Sequence, residues 1–155
     1  MLLGLALSKP NSQPNQSSKA IRKDLEEWKK QMKTTHRALT RGAILEMPIK
    51  DWESDEDRQY AIRKYTHLGF DYDGAAAAKA KHIADMNQHL NELDNLLHSE
   101  ESANKWGRSM DDILLIPDLR TLTAVKGLQW PKKVKAYVEK SCRDAGVSLY
   151  TEHAV

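Results

Sequence analysis

The sequence predicts an all-helical bundle of five to six helices. Three observations carry this. Apolar residues recur at steps of three and four through most of the chain, and no segment alternates convincingly as a strand would. Phe occurs once and Gly seven times, while Ala, Leu, Lys, Glu and Asp are common. That composition favours helix over sheet. At 155 residues the chain fits one domain, burying about 68–70% of its unfolded surface, so the core needs no metal or disulfide.

Residues 1–18 are expected to form a flexible tail or linker. Ser8 to Ser18 contain two prolines among small polar residues. The apolar opening from Met1 to Leu7 is short and has no basic residue before it, which argues against a secretion signal. The helical domain is expected over 19–155. Its first helix starts near Ser17 or Ser18, either of which can cap it. Ile21, Leu25, Trp28, Met32 and Leu39 share one face, with His36 in phase, and Gly42 marks a stop.

Ser54-Asp55-Glu56-Asp57 opens a second helix, with a capping oxygen followed by acids in the first turn. Gly69 can close it. Asp73 is expected to cap a long helix whose stripe is Ile83, Met86, Leu90, Leu93 and Leu97. Ser99 to Gly107 reads as a polar loop containing Trp106. Ser109 then opens a helix running to Val125, apolar almost all round and so expected to be central and buried, with Gly127 as its end. Pro131 suits the first turn of a last helix that turns Val134, Tyr137, Val138 and Cys142 inward and stops at Gly146. Leu149 and Tyr150 can pack the tail that follows.

Ser109 and Asp112 have capping-box spacing, in which each side chain answers the other residue's backbone amide. The box opens the most hydrophobic helix, where uncapped amides would be buried without water. Pro117 removes one hydrogen bond inside that helix and crowds the Ile113 carbonyl, so it should bend the axis or break the helix in two.

The single cysteine, Cys142, rules out an intramolecular disulfide or a dithiol site. Its place near a helix C-terminus, in phase with Val134 and Val138, suits a buried, inert thiol. A reducing, cytoplasmic setting is expected. No run reaches the roughly 20 apolar residues that span a bilayer. His82 and His89 share a helix side with Asp85 but stand about 10 Å apart along the axis, too far for one ion, so no metal is expected. Formal charge is +2, which gives no global push toward nucleic acid. The last helix is basic, with Lys126, Lys132, Lys133, Lys135, Lys140 and Arg143 against Glu139. No aromatic residues interleave there for base stacking, so a solvated face is expected.

The run Ser109 to Thr123, followed in register by Val125-Lys126-Gly127-Leu128-Gln129-Trp130-Pro131, Val134 and Tyr137, resembles the central and final helices of the glutaredoxin-2 C-terminal domain. Glu26-Glu27-Trp28, Asp85-Met86-Asn87 and Leu90 to Asp94 are similar but less specific. The Ser-x-x-Asp box also recurs in the wider glutathione-transferase fold. The resemblance implies a helical domain of that fold, packed on a thioredoxin-like domain that holds glutathione and the Cys-Pro-Tyr-Cys pair. Neither feature occurs in this sequence, so no catalytic residue and no cofactor-binding residue is assigned. The resemblance also makes Trp28, Met32 and His36 candidates for the cleft facing the redox domain, with a purely core role as the alternative.

Two functions are then expected. One is the helical half of a glutathione-dependent thiol–disulfide oxidoreductase, supporting the redox domain and inactive alone. The other is a freestanding interaction module that dimerises or captures a protein partner through the face a redox domain would cover. Neither needs a membrane.

Overall fold

The computed structural model describes residues 21–155. Six α-helices occur in this range: α1 (Lys23–Glu46), α2 (Asp55–His67), α3 (Tyr72–Ala77), α4 (Lys79–Leu96), α5 (Met110–Leu122) and α6 (Lys132–Asp144). Short 3-10 turns at Lys50–Trp52 and Thr151–His153 complete it, and no strand occurs among the described residues. The expected tail and the capping serines Ser17 and Ser18 lie outside the described residues. In the structure α1 is entered through Arg22, which provides no side-chain cap.

The core forms where the apolar stripes of α1, α4, α5 and α6 meet. Leu25, Trp28 and Met32 of α1 meet Met86, Leu90 and Leu93 of α4, with Leu115 and Leu119 of α5 and Val134 and Tyr137 of α6 alongside. The α1 helix packs on α3, α4 and α5, and α6 packs on α4 and α5.

Gly42, expected to stop the first helix, lies inside it. Leu39, Ala43 and Met47 carry the buried stripe past the glycine, and that packing outweighs glycine's cost of about 1 kcal/mol in a helix. The expected long helix capped by Asp73 is two helices, divided at Ala78. Asp71, and not Asp73, supplies the cap, its Oδ1 accepting from the Gly74 amide at 3.0 Å, while Asp73 lies inside the first turn. Ser54 caps α2 as expected, and its cap is a full capping box closed by Asp57.

The helix opened by Ser109 ends at Leu122, short of Val125 and Gly127. Tighter turns follow, with the Thr123, Ala124 and Val125 amides each bonding a carbonyl three residues back. Gly127, at φ +91°, turns the chain after them in a conformation that favours glycine. Pro131 sits at the N-cap of α6, one place before the first turn. Leu149 and Tyr150 pack against the core as expected. The Val155 backbone pairs with the connector, donating to Ala124 and accepting from Lys126 at 3.0 and 2.8 Å.

Candidate functional site

A groove runs between α1 and α5, with a volume of about 650 Å³. The two helices lie parallel, because their contacts advance together along both chains. The Arg22 amide donates to Asp111, Lys29 to the Leu114 carbonyl at 2.7 Å, and His36 meets Asp118 and Thr121 further on. Leu25, Met32 and Leu115 are buried at its floor.

This arrangement corrects the expectation that α5 is enclosed on every side. Ile113 is 64% exposed and Leu114 38%. Leu114 edges the groove with Ile21, itself 44% exposed. The helix runs unbroken through Pro117, whose missing N–H leaves the Ile113 carbonyl without its usual partner on this open flank. The hydrophobicity of α5 is thus shared between a buried face and a bare one.

The three α1 candidates divide. Trp28 is buried and lines no part of the groove; its indole N–H donates to the His89 carbonyl of α4 at 2.8 Å. Met32 contributes to the groove floor and to the core together. His36 lines the groove, with Nε2 3.0 Å from the Asp118 carbonyl and 2.8 Å from Thr121 Oγ1. Burial holds its pKa below the usual range, against the opposing pull of Asp118. A carbonyl oxygen only accepts, so the neutral ring carries its proton on Nε2 and leaves Nδ1 as an acceptor. Thr121 in turn donates to the same Asp118 carbonyl at 2.8 Å.

At its N-terminal end the groove abuts a cluster of buried polar groups. The Asp112 carboxylate accepts from the Ser109 amide at 2.7 Å, the Ala103 amide at 2.8 Å and the Tyr137 hydroxyl at 2.7 Å. Ser109 and Asp112 form the capping box. The Ser109 hydroxyl also accepts from Asn104 at 3.0 Å. Asn104 donates to Asp111 at 2.8 Å as well, and Arg22 bonds Asn104, the Ala103 carbonyl and the Leu96 carbonyl. Burial, and then the bond to Asp112, raise the Tyr137 hydroxyl pKa far above its ordinary value. It therefore stays a donor at all working pH.

Sequence reasoning missed Arg22, Asn104 and the Tyr137 hydroxyl as members of this cluster, and Lys29, Asp118 and Thr121 in the groove. Asn104 carried a usable signal: an amide within a few residues of a capping serine can serve it. The others meet through long-range packing, which no local spacing encodes.

Cys142 is buried in α6 and lines no part of the groove; burial raises its pKa. No thiol reaches the groove walls, so the groove can hold and orient a molecule but supplies no sulfur nucleophile. Asp85 pairs with Lys81 at 3.2 Å and His89 approaches Glu92 at 3.5 Å. Among the described residues no three metal-ligating side chains gather. On the basic face Lys140 meets Glu101 at 2.6 Å and Lys133 bonds the Leu97 carbonyl at 3.0 Å. No described helix is long and apolar enough to cross a membrane.

Comparison with known proteins gives this geometry a family. The model of the glutaredoxin 2 C-terminal domain matches residues 24–154. Glutaredoxin 2 of Escherichia coli K12 is 24% identical over 131 residues, which make up 84% of this chain and 60% of the relative. Glutaredoxin 2 of E. coli O157:H7 matches with the same figures. The structure of glutaredoxin 2 from Salmonella typhimurium, solved in complex with glutathione, superposes with a TM-score of 0.85 at 27% identity. That match covers 90% of this chain and 64% of the other. The chain thus spans less than two thirds of the relatives it matches. It belongs to the glutaredoxin 2 C-terminal domain family.

Proposed function

We propose that this domain supports a thioredoxin-like redox domain and shapes its substrate cleft, as the helical half of a glutathione-dependent thiol–disulfide oxidoreductase. The observation that carries the reading is the bare apolar surface at the groove edge, Ile21 and Leu114, with Ile113 exposed next to Leu114 on α5, in a chain of this family. Monomeric proteins rarely leave such side chains clustered beside a groove without a partner. Interfaces between domains commonly cover about 600–1,500 Å², enough to take in this flank. In this reading the redox domain brings the cysteines and holds glutathione. The helical domain brings the groove floor and His36.

The test is titration of the chain with the isolated thioredoxin-like domain of E. coli glutaredoxin 2. A one-to-one complex that the Ile113→Ser/Leu114→Ser double variant abolishes is expected, and no association at high concentration overturns the reading. Glutathione-dependent disulfide reduction by this chain alone should be blank. Turnover that survives Cys142→Ser would defeat the division of labour.

The same bare flank supports a second reading, a freestanding module that pairs with itself or another protein. Sedimentation of the chain alone at several concentrations separates the two. Self-association lost in the double variant favours the module.

A further inference from the structure

Beyond the apolar flank, the α1 wall of the groove carries Lys30, Lys33 and Arg37. Their spacing of three and four residues sets them in one row, about 10 Å long at ~1.5 Å per residue. None of the three bonds or pairs with a described residue through its side chain. The other charges along the groove are engaged. Lys29 holds Asp118 at 3.3 Å and the Leu114 carbonyl, and Arg41 lies over the Tyr65 and Phe70 rings at 4.4 and 4.8 Å. Asp111 takes the Asn104 amide and the Arg22 N–H. Among the described residues, Glu26 is left as the one unengaged acid of the groove lining against three unengaged cations.

Like charges three and four residues apart oppose one another on a helix, so this row weakens α1 unless something anionic meets it. Below the row lie Met32 and Leu115 on the floor, and His36 with its acceptor Nδ1. The wall therefore asks for carboxylates, and the floor for apolar groups, on the same ligand.

We infer that the Lys30–Lys33–Arg37 wall captures an acidic, partly apolar segment of the protein disulfide that the redox domain reduces. An extended segment fits the row. Its alternate side chains on one side repeat every ~6.6 Å, so acids two residues apart reach successive cations while the residues between face the floor. The identity of the segment as a redox substrate rests on the function proposed above; the binding itself does not.

The test uses the full chain and a fluorescein-labelled heptapeptide of alternating Glu and Leu, read by anisotropy at low ionic strength. The glutamate peptide should bind, more weakly as salt is added, and its Gln analogue should not. Lys30→Gln/Lys33→Gln/Arg37→Gln should weaken binding by about tenfold or more with the helical circular dichroism unchanged. Absence of binding, equal binding of the Gln analogue, or full affinity in the triple variant overturns the inference. Displacement of the peptide by glutathione disulfide, itself sensitive to the triple variant, would also overturn it by making the occupant a small anionic peptide. The triple variant should still associate with the thioredoxin-like domain. Loss of that association in the triple variant would place the row beneath the redox domain and overturn the inference, whereas a native chain that binds the peptide but not the redox domain counts against the proposed function alone.

Discussion

The two flanks of α5 are built on opposite rules. At its N-terminus, buried donors and acceptors answer one another across four parts of the chain: Arg22, the 102–104 loop, the α5 cap and Tyr137 of α6. Along its outer side, Ile113 and Leu114 are exposed, and the facing helix holds cations with no partner among the described residues. The first region is closed in its bonding and holds the bundle together. The second is open and is where an outside molecule can gain something by arriving. Substitutions in the first should therefore register in stability, and those in the second in association.

The contrast breaks most visibly at Asp112. Replacing it with Ala orphans the Ser109 and Ala103 amides and the Tyr137 hydroxyl together. Urea denaturation should show a loss of about 3–5 kcal/mol, since each orphaned donor costs roughly 1–3. A smaller step is Tyr137→Phe, which removes one charge-assisted bond while the ring remains; about 1.5–3 kcal/mol is expected. If Asp112→Ala costs no more than this, the carboxylate is not the hub of the cluster.

His36 lies between the two regions and tests them through pH. Burial lowers its pKa in the folded chain, so the unfolded chain takes up the proton first. The resulting stability is complete above the usual value of about 6.5 and is lost as pH falls through the folded value. Melting temperatures followed from about pH 7.5 to about pH 5 should decline more steeply in the native chain than in His36→Gln. Identical slopes would place the imidazole in contact with water. The smallest effect belongs to Ile113→Ser, which should shift the stability of the chain alone by no more than about 0.5 kcal/mol. A larger loss would mean that Ile113 packs in solution, and the open flank would close.

Most of the fold was legible in the sequence because it is written locally. Ser54 and Ser109 announce their helices through cap chemistry, and Met86, Leu90, Leu93 and Leu97 announce the buried face of α4 by spacing. Legibility failed where tertiary packing overrides local preference. Gly42 stays helical because its neighbours are anchored, and Ser102 and Asn104 are buried although a polar loop reads as solvent-facing. The site was only partly legible for a related reason. Hydrophobicity all round α5 says that every side meets apolar surroundings, but not that one side waits for a partner. Helical phase put Trp28, Met32 and His36 together, yet about two turns' difference at ~3.6 residues per turn sends the indole to α4 and the imidazole to α5.

The burial of Cys142, at 1% exposure, makes the chain ready for spectroscopy without further change. Its thiol is shielded from modifying reagents, so a cysteine introduced at Lys33 or Leu114 can be labelled selectively in the native background. A nitroxide or fluorophore there would report, from either side of the groove, when and by what it is filled.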